Sequence, residues 1–282
     1  MSTEELLAMA VAEATSDGED DDAYWERVWL LQKRDPGETW SLLLPLTEHV
    51  DPRVRALVPD VLRYLGGIHR PLIEESVALF ERTLQHDAAP QVLEAIGHAL
   101  GELGVPAAVE MMIPYASHPE PDVRFAVVSA LLRHREARAI QTLIELSRDE
   151  IGRVRDWATF GLGSQVVGVD PDTQGEDVVD TPAVRDALAD RLNDPDEDAR
   201  CEAIVGLAMR RDPRVLPVLV QELDKGPKLS LILEAARWAA SSTLCPSLRK
   251  LASSTDSEAL AFWNQSGLQK ALDACCTPAS ST

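Results

Sequence analysis

"EPDVRFAVVSALL", residues 120–132, places Pro121 and Asp122 ahead of a run whose apolar members include Val123, Val127 and Leu131. A spacing of four keeps side chains on one face of an α-helix, whereas a strand alternates every two residues. An acid just before the first apolar residue suits a helix start, where free N–H groups and the helix dipole favour a carboxylate. A single short helix cannot bury such a stripe by itself, so the stretch calls for neighbours of the same kind.

Those neighbours are in the chain. "VRALVPDVLRYLG" from Val54, "VLEAIGHALGELG" from Val92, "VRFAVVSALLRHR" from Val123, "VRDWATFGLGSQV" from Val154 and "ARCEAIVGLAMRR" from Ala199 align without gaps. The starts are 38, 31, 31 and 45 residues apart, the last interval coinciding with the acidic insertion "VVGVDPDTQGEDVVDT". A weaker sixth copy, "LILEAARWAASS", begins at Leu231. In each of the five, positions 0, +4 and +8 are apolar, and +7 is usually small (Ala99, Ala130, Gly161, Gly206). Asp51, Glu120, Glu150 and Asp196 precede the stripe as N-cap or first-turn acids, and Gly66 and Gly101 are expected to close helices. Second amphipathic stretches such as "RPLIEESVALFERTLQ" and "EARAIQTLIELSR" lie between the copies, and no strand-like alternation of useful length occurs. A fixed period of paired helices predicts an all-α repeat architecture.

Asp51-Pro52-Arg53-Val54-Arg55, Asp122-Val123-Arg124 and "DARCEAIVGLA" resemble HEAT repeats, in particular the short bacterial kind first associated with phycobilin lyases. The resemblance runs over roughly residues 38–254. It implies an alpha-alpha superhelix, a HEAT/armadillo-like solenoid of about six to seven helical hairpins, with the D-x-V-R helices lining its concave side. The second copy departs from the pattern at Leu93, where Arg is expected, and the sixth lacks the Val-Arg start. The expected organisation is an acidic N-terminal helix and linker (1–22) that the rest does not need in order to fold, then a solenoid (23–272) with an acidic insertion loop (166–180), then a disordered C-terminal tail (273–282). Such solenoids host many activities, so the resemblance bears on fold far more than on function.

The charge of −20 over 282 residues is concentrated: residues 1–24 hold eight acids and segment 166–183 five, with no Lys or Arg in either. Such a field repels nucleic acid and anionic lipid and attracts basic partners. No apolar run approaches a membrane span, and the N-terminal stretch carries acid where a secretion leader carries base. The cysteines, Cys201, Cys245, Cys275 and Cys276, have no C-x-x-C spacing, and the simple reading is four reduced thiols in a cytoplasm. The expectation is a cytoplasmic monomer.

Within the repeats, Arg55, Arg124, Arg155 and Arg200 recur at +1 and read as a structural ladder bonding acids or carbonyls of adjacent turns. Positions +2, +3 and +6 face the groove in this register. They supply Asp60, Glu94, His98, Phe125, Asp156, Trp157, Phe160 and Glu202, a set of aromatic rings bordered by carboxylates. Trp157, on the flank of its helix, also reads as a ring packed between repeats. A hydrophobic centre rimmed by carboxylates suits a partner protein, presented as a basic surface or a basic amphipathic helix.

Enzymes built on this architecture each demand something checkable. Deoxyhypusine hydroxylases carry His-Glu dipeptides that hold two irons, and this chain has no His-Glu dipeptide. Alkylpurine DNA glycosylases of HEAT-like fold use Trp, Asp and Arg in a basic cleft, and the groove positions here are acidic. A bilin-lyase-like activity is the alternative reading, since its chemistry leaves no compact motif; Cys201, at +2, is its only candidate nucleophile. The loop from Asp170 lacks the twelfth-position glutamate of a calcium loop, and Thr181 stands there instead. No nucleotide-binding glycine loop, G-x-S-x-G or zinc spacing is present. No catalytic residue, metal or cofactor is therefore expected.

Overall fold

A computed structural model describes residues 1–16, 21–165, 179–225, 230–253 and 262–277, and among them every regular element is a helix. The chain divides into two compact units, Met1–His134 and Arg135–Thr282.

The first unit contains α1 (Thr3–Thr15), α2 (Asp21–Gln32), α3 (Pro36–Leu43), α4 (Pro52–Leu62), α5 (Ile73–Leu84), α6 (Pro90–Leu103), α7 (Ala107–Met112) and α8 (Pro121–Leu131). Helices α3, α4, α6 and α8 each begin on proline, whose fixed φ suits the first turn and whose missing N–H is not needed there. Helices α4, α6 and α8 pack in succession, and their 0, +4 and +8 residues, from Val54 to Leu131, are all buried. The small residues that let α8 approach α6 are Gly97 and Gly101: a Cβ on Gly97 would lie 2.7 Å from that of Ala126. Gly101 therefore does not close its helix, as the sequence suggested. Gly104, at φ +64°, ends α6.

Helix α1 differs from expectation. Ser2 and Glu5 close a capping box at its start, and it packs against α2, α3 and α4. Leu6 and Ala10 are fully buried, and Thr3 Oγ1 donates to Glu38 Oε2 at 3.0 Å. The apolar side of "EELLAMAVAEA" thus covers the open end of the repeats, where the sequence reading saw a dispensable acidic segment.

The second unit contains α9 (Ala137–Leu146), α10 (Gly152–Phe160), α11 (Pro182–Arg191), α12 (Glu197–Met209), α13 (Leu216–Lys225), α14 (Ser230–Ala239), α15 (Cys245–Ser253) and α16 (Phe262–Cys276). Helices α10, α12, α14 and α16 pack in succession, and the stripes from Val154 and Ala199 are buried. Helix α10 runs into a π-helical turn, Gly161–Gln165, where Gly163 meets Gly206 of α12. A Cβ on Gly206 would sit 2.7 Å from Gly163 Cα, so the two backbones touch only because both residues are glycine. Buried Arg210 donates to the carbonyls of Leu162 and Gly163 in that turn and of Gly206 in the last turn of its own helix, joining the two.

Two expectations fail at the C-terminal end. Residues 273–276 belong to α16, with Cys275 buried, so they are no disordered tail. Cys245 and Cys276, 31 residues apart, form a disulfide between α15 and α16, so not all four cysteines are thiols. Most of the insertion loop expected at 166–180, including Asp170–Glu176, and the last five residues of the tail lie outside the described residues. Among the described residues no helix is long and apolar enough to cross a membrane.

Candidate functional site

The groove positions are held in register by the arginines at +1. Arg55 Nη1 donates to the carbonyls of His49 and Val50, Arg124 Nη1 to those of His118 and Pro119, and Arg155 Nη1 to those of Asp149 and Glu150. Arg200 Nη1 reaches Asp194 O at 2.7 Å. Each guanidinium thus ties down the turn before its own helix. Arg55 also grips Asp87 of the next turn at 2.5 Å, and Arg155 grips Asp194 at 2.9 Å.

That acceptor was not singled out in the sequence, although its signal is there. Position −5 of the five copies is His49, Asp87, His118, Asp149 and Asp194. In all five its side chain accepts the N–H two residues on, at 2.9–3.1 Å, which shapes the helix entry. An Asp stands at −5 after the copies with Arg55, Arg124 and Arg155, whereas His118 follows the copy with Leu93 and Gly226 stands there after the copy with Arg200.

In the first unit, three predicted groove residues, Asp60, Glu94 and His98, line one cleft of ≈ 350 Å³ together with Glu13 of α1 and Tyr24 of α2. Asp60 does not lie open as the +6 position suggested. It is buried because α2 covers it, with Tyr24 Oη donating to Oδ2 at 2.7 Å and Gln32 Nε2 donating to its carbonyl. Burial pushes the Asp60 carboxyl up to about 6, against the opposing Tyr24 bond and the Arg63 charge. Desolvation and the Asp60 charge in turn raise the Tyr24 phenol. His98 Nε2 lies 3.9 Å from Glu94 Oε1, and its ring meets Phe125 edge-on at 5.4 Å.

In the second unit, Asp156 of α10 and Glu202 of α12 are half-buried neighbours. Desolvation raises Asp156 to about 6, assisted by the charges of Asp198 and Asp196. Desolvation and then Asp156 itself raise Glu202 to about 7, with Ser164 Oγ donating to Oε2 at 3.5 Å in the opposite sense. Beside them Trp157 is 39% exposed, its ring edge-on to Phe160 at 5.7 Å. Trp157 is a surface ring and not the inter-repeat core residue its flank position also allowed. Cys201 is buried, and desolvation raises its thiol to about 11, which removes the nucleophile on which the lyase reading leaned. Among the described residues no group of three or more His, Cys, Asp or Glu is placed to hold a metal ion.

Residues 76–163 match the family model for HEAT repeats. That stretch carries HEAT repeats. It is 34% identical to protein YibA of Escherichia coli K12 over 143 residues, and the same figures hold for YibA of strain O157:H7. That alignment covers 51% of this chain and 47% of YibA, about half the length of each. The fold likeness is wider: the X-ray structure of YibA aligns over 96% of this chain and 92% of its own, with a TM-score of 0.72 at 23% identity. An engineered protein aligns over 96% and 78%, with a TM-score of 0.58 at 19% identity. At these identities the structural likeness speaks for the HEAT-type fold alone.

Proposed function

We propose that this HEAT-repeat chain is a protein-binding module that takes a basic segment of a partner on its acidic groove positions. The observation that carries the reading is the Asp156–Glu202 pair beside exposed Trp157. Both carboxyls are partly desolvated, and the charges acting on Asp156 are those of other carboxylates. A lysine or arginine arriving there relieves a repulsion already present, and the Trp157 face offers apolar and cation–π contact to the same side chain. In the first unit, Glu94 and His98 with Phe125 add a second mixed surface of the same character.

The module acts as a monomer in this proposal, which adds no cofactor and no catalytic step. Sedimentation tests that point, and a dimer counts against it. The binding reading is tested by fluorescence anisotropy with a Lys/Arg-rich amphipathic helical peptide and its Glu-for-Lys counterpart. Saturable binding of the basic peptide, weakened by salt and by Glu202→Gln, supports the reading. Equal affinity for both peptides overturns it.

A further inference from the structure

A second cavity, in the first unit, has the opposite character. It encloses ≈ 1000 Å³ between α2 and the chain that follows α4. That is the upper end of the range typical of small-molecule sites, ~300–1,000 Å³. Its lining includes Trp25, Trp29 and Tyr64, three large rings that stay partly exposed, Trp29 by 54%. Exposed rings gathered around a concavity are costly for a monomer unless something covers them.

The charged groups of this cavity are cationic, beside the neutral polar side chain of Gln32. Lys33, Arg34 and Arg63 line it, and no Asp or Glu is among its described lining residues, in a chain with 47 acids against 27 bases. The cations are seated on rings: Lys33 Nζ lies 2.9 Å from the Trp29 ring centroid, and Arg63 Cζ lies 4.6 Å from that of Trp25. Cation–π contact holds such a group in place but leaves its donors able to meet an anion. Arg63 Nε is buried with no hydrogen-bond partner among the described residues. Asp60, whose charge acts with that of Arg63, lies in the neighbouring cleft and takes its hydrogen bond from Tyr24.

The wall is also preformed. Gly66 is left-handed at φ +78°, its N–H donates to Gln32 O, and a Cβ there would collide with Pro71 Cδ at 2.5 Å. The turn therefore closes against α2 in one way, which limits the ordering cost that a ligand would otherwise meet.

We propose that this cavity binds a small aromatic anion: a body of one to three rings packed among Trp25, Trp29 and Tyr64, with its carboxylate or sulfonate bonded by Arg63 and Lys33. The ligand is the chemical complement of the lining, and it is unlike the basic segment proposed for the acidic positions.

The full chain is titrated with 8-anilinonaphthalene-1-sulfonate, and the bound dye is then displaced by 2-naphthoate or by its neutral counterpart 2-naphthamide. Saturable one-to-one dye binding is expected, with naphthoate at least about tenfold better than naphthamide, as loss of one charge-assisted bond implies. Arg63→Met and Lys33→Met should each weaken dye and naphthoate by about tenfold, while naphthamide changes little. Lys33 is on the surface, so Lys33→Met reports even if Arg63→Met fails to fold. Dye binding at several equivalent sites, indifference to Lys33→Met, or equal competition by naphthamide overturns the proposal. None of these readouts depends on the basic-peptide titration, so the two readings fail separately.

Discussion

Arg155 grips the carboxylate of Asp194 across 39 residues of chain, with Nη2 2.9 Å from Oδ1 and Nε 3.0 Å from Oδ2, and the Asp194 side chain is 1% exposed. Burial alone would raise that carboxyl. Bonds from Arg155 and the Asp196 N–H, with the charges of Arg155 and Arg191, more than reverse this and hold it below the ordinary range. A carboxyl lowered by folding stabilises the fold above its unfolded range near pH ~4, and that contribution is lost as pH falls through the folded value. Arg155→Ala should therefore cost about 1.5–3 kcal/mol at pH 7 in urea unfolding, with the deficit shrinking toward pH ~3. A wild-type midpoint at pH 7 would show that the +1 arginines do not hold the turns.

Asp60 carries the opposite sign. Its folded value, about 6, lies above that of an exposed aspartate, so its contribution is present below pH ~4 and is lost as pH rises through about 6. Asp60→Asn keeps an acceptor for the Tyr24 hydroxyl and removes the buried charge. It should raise stability by roughly 1–3 kcal/mol at pH 8 and change little at pH 4. Equal effects at both values would mean that Asp60 is not desolvated.

Trp157 separates stability from binding. As a surface ring it should cost under about 1 kcal/mol on truncation to Ala, against the ~3–5 kcal/mol of a core tryptophan. The loss should fall on affinity for the basic peptide. Affinity itself should rise as pH goes from 5 to 8, because Asp156 and Glu202 ionise near 6 and 7. A pH-independent affinity would detach these carboxyls from the binding surface.

Helix α1 should prove structural. Leu6→Ala is expected to cost about 2–5 kcal/mol, and removal of residues 1–16 should lower the melting temperature sharply. Calorimetry of the truncated chain measures this directly, and an unchanged melting temperature would restore the dispensable acidic segment.

Reduction of Cys245–Cys276 opens a loop closed across 31 residues. Chain-entropy arguments put the stabilisation at roughly 3–4 kcal/mol. Thiol reductant should therefore lower the unfolding midpoint of the second unit, and Cys245→Ser should make the protein indifferent to the reductant.

The helical stripes were legible because burial of Val54, Val123 and Val154 is enforced by a period that the sequence repeats. The exposure of groove positions was not, because register says which way a side chain leaves its own helix and nothing about what later covers it. Asp60 shows this: its +6 position is outward, yet Tyr24, 36 residues earlier, lies over it. The ring-lined cavity escaped notice for a related reason. Trp25, Trp29 and Lys33 form a visible i, i+4, i+8 series, but Arg63 and Tyr64 belong to a different segment, and only tertiary folding brings them together. The disulfide was missed because Cys245 and Cys276 sit in successive hairpins, not in a short motif.

The clasp between +1 and −5 bears on how such a chain lengthens. A repeat that begins at Asp149 carries an aspartate at −5, the position that receives the preceding arginine at Asp87 and Asp194, and, in Arg155, a donor for the aspartate after it. Tandem duplication of that stretch adds one of each, so the inserted copy leaves no guanidinium or carboxylate orphaned at either junction. Duplication of the stretch from Asp87 adds an acceptor but, with Leu93 at +1, no donor, and strands a partly buried carboxylate at the new seam. Copy number in this chain is therefore free to grow at one repeat and is penalised at another.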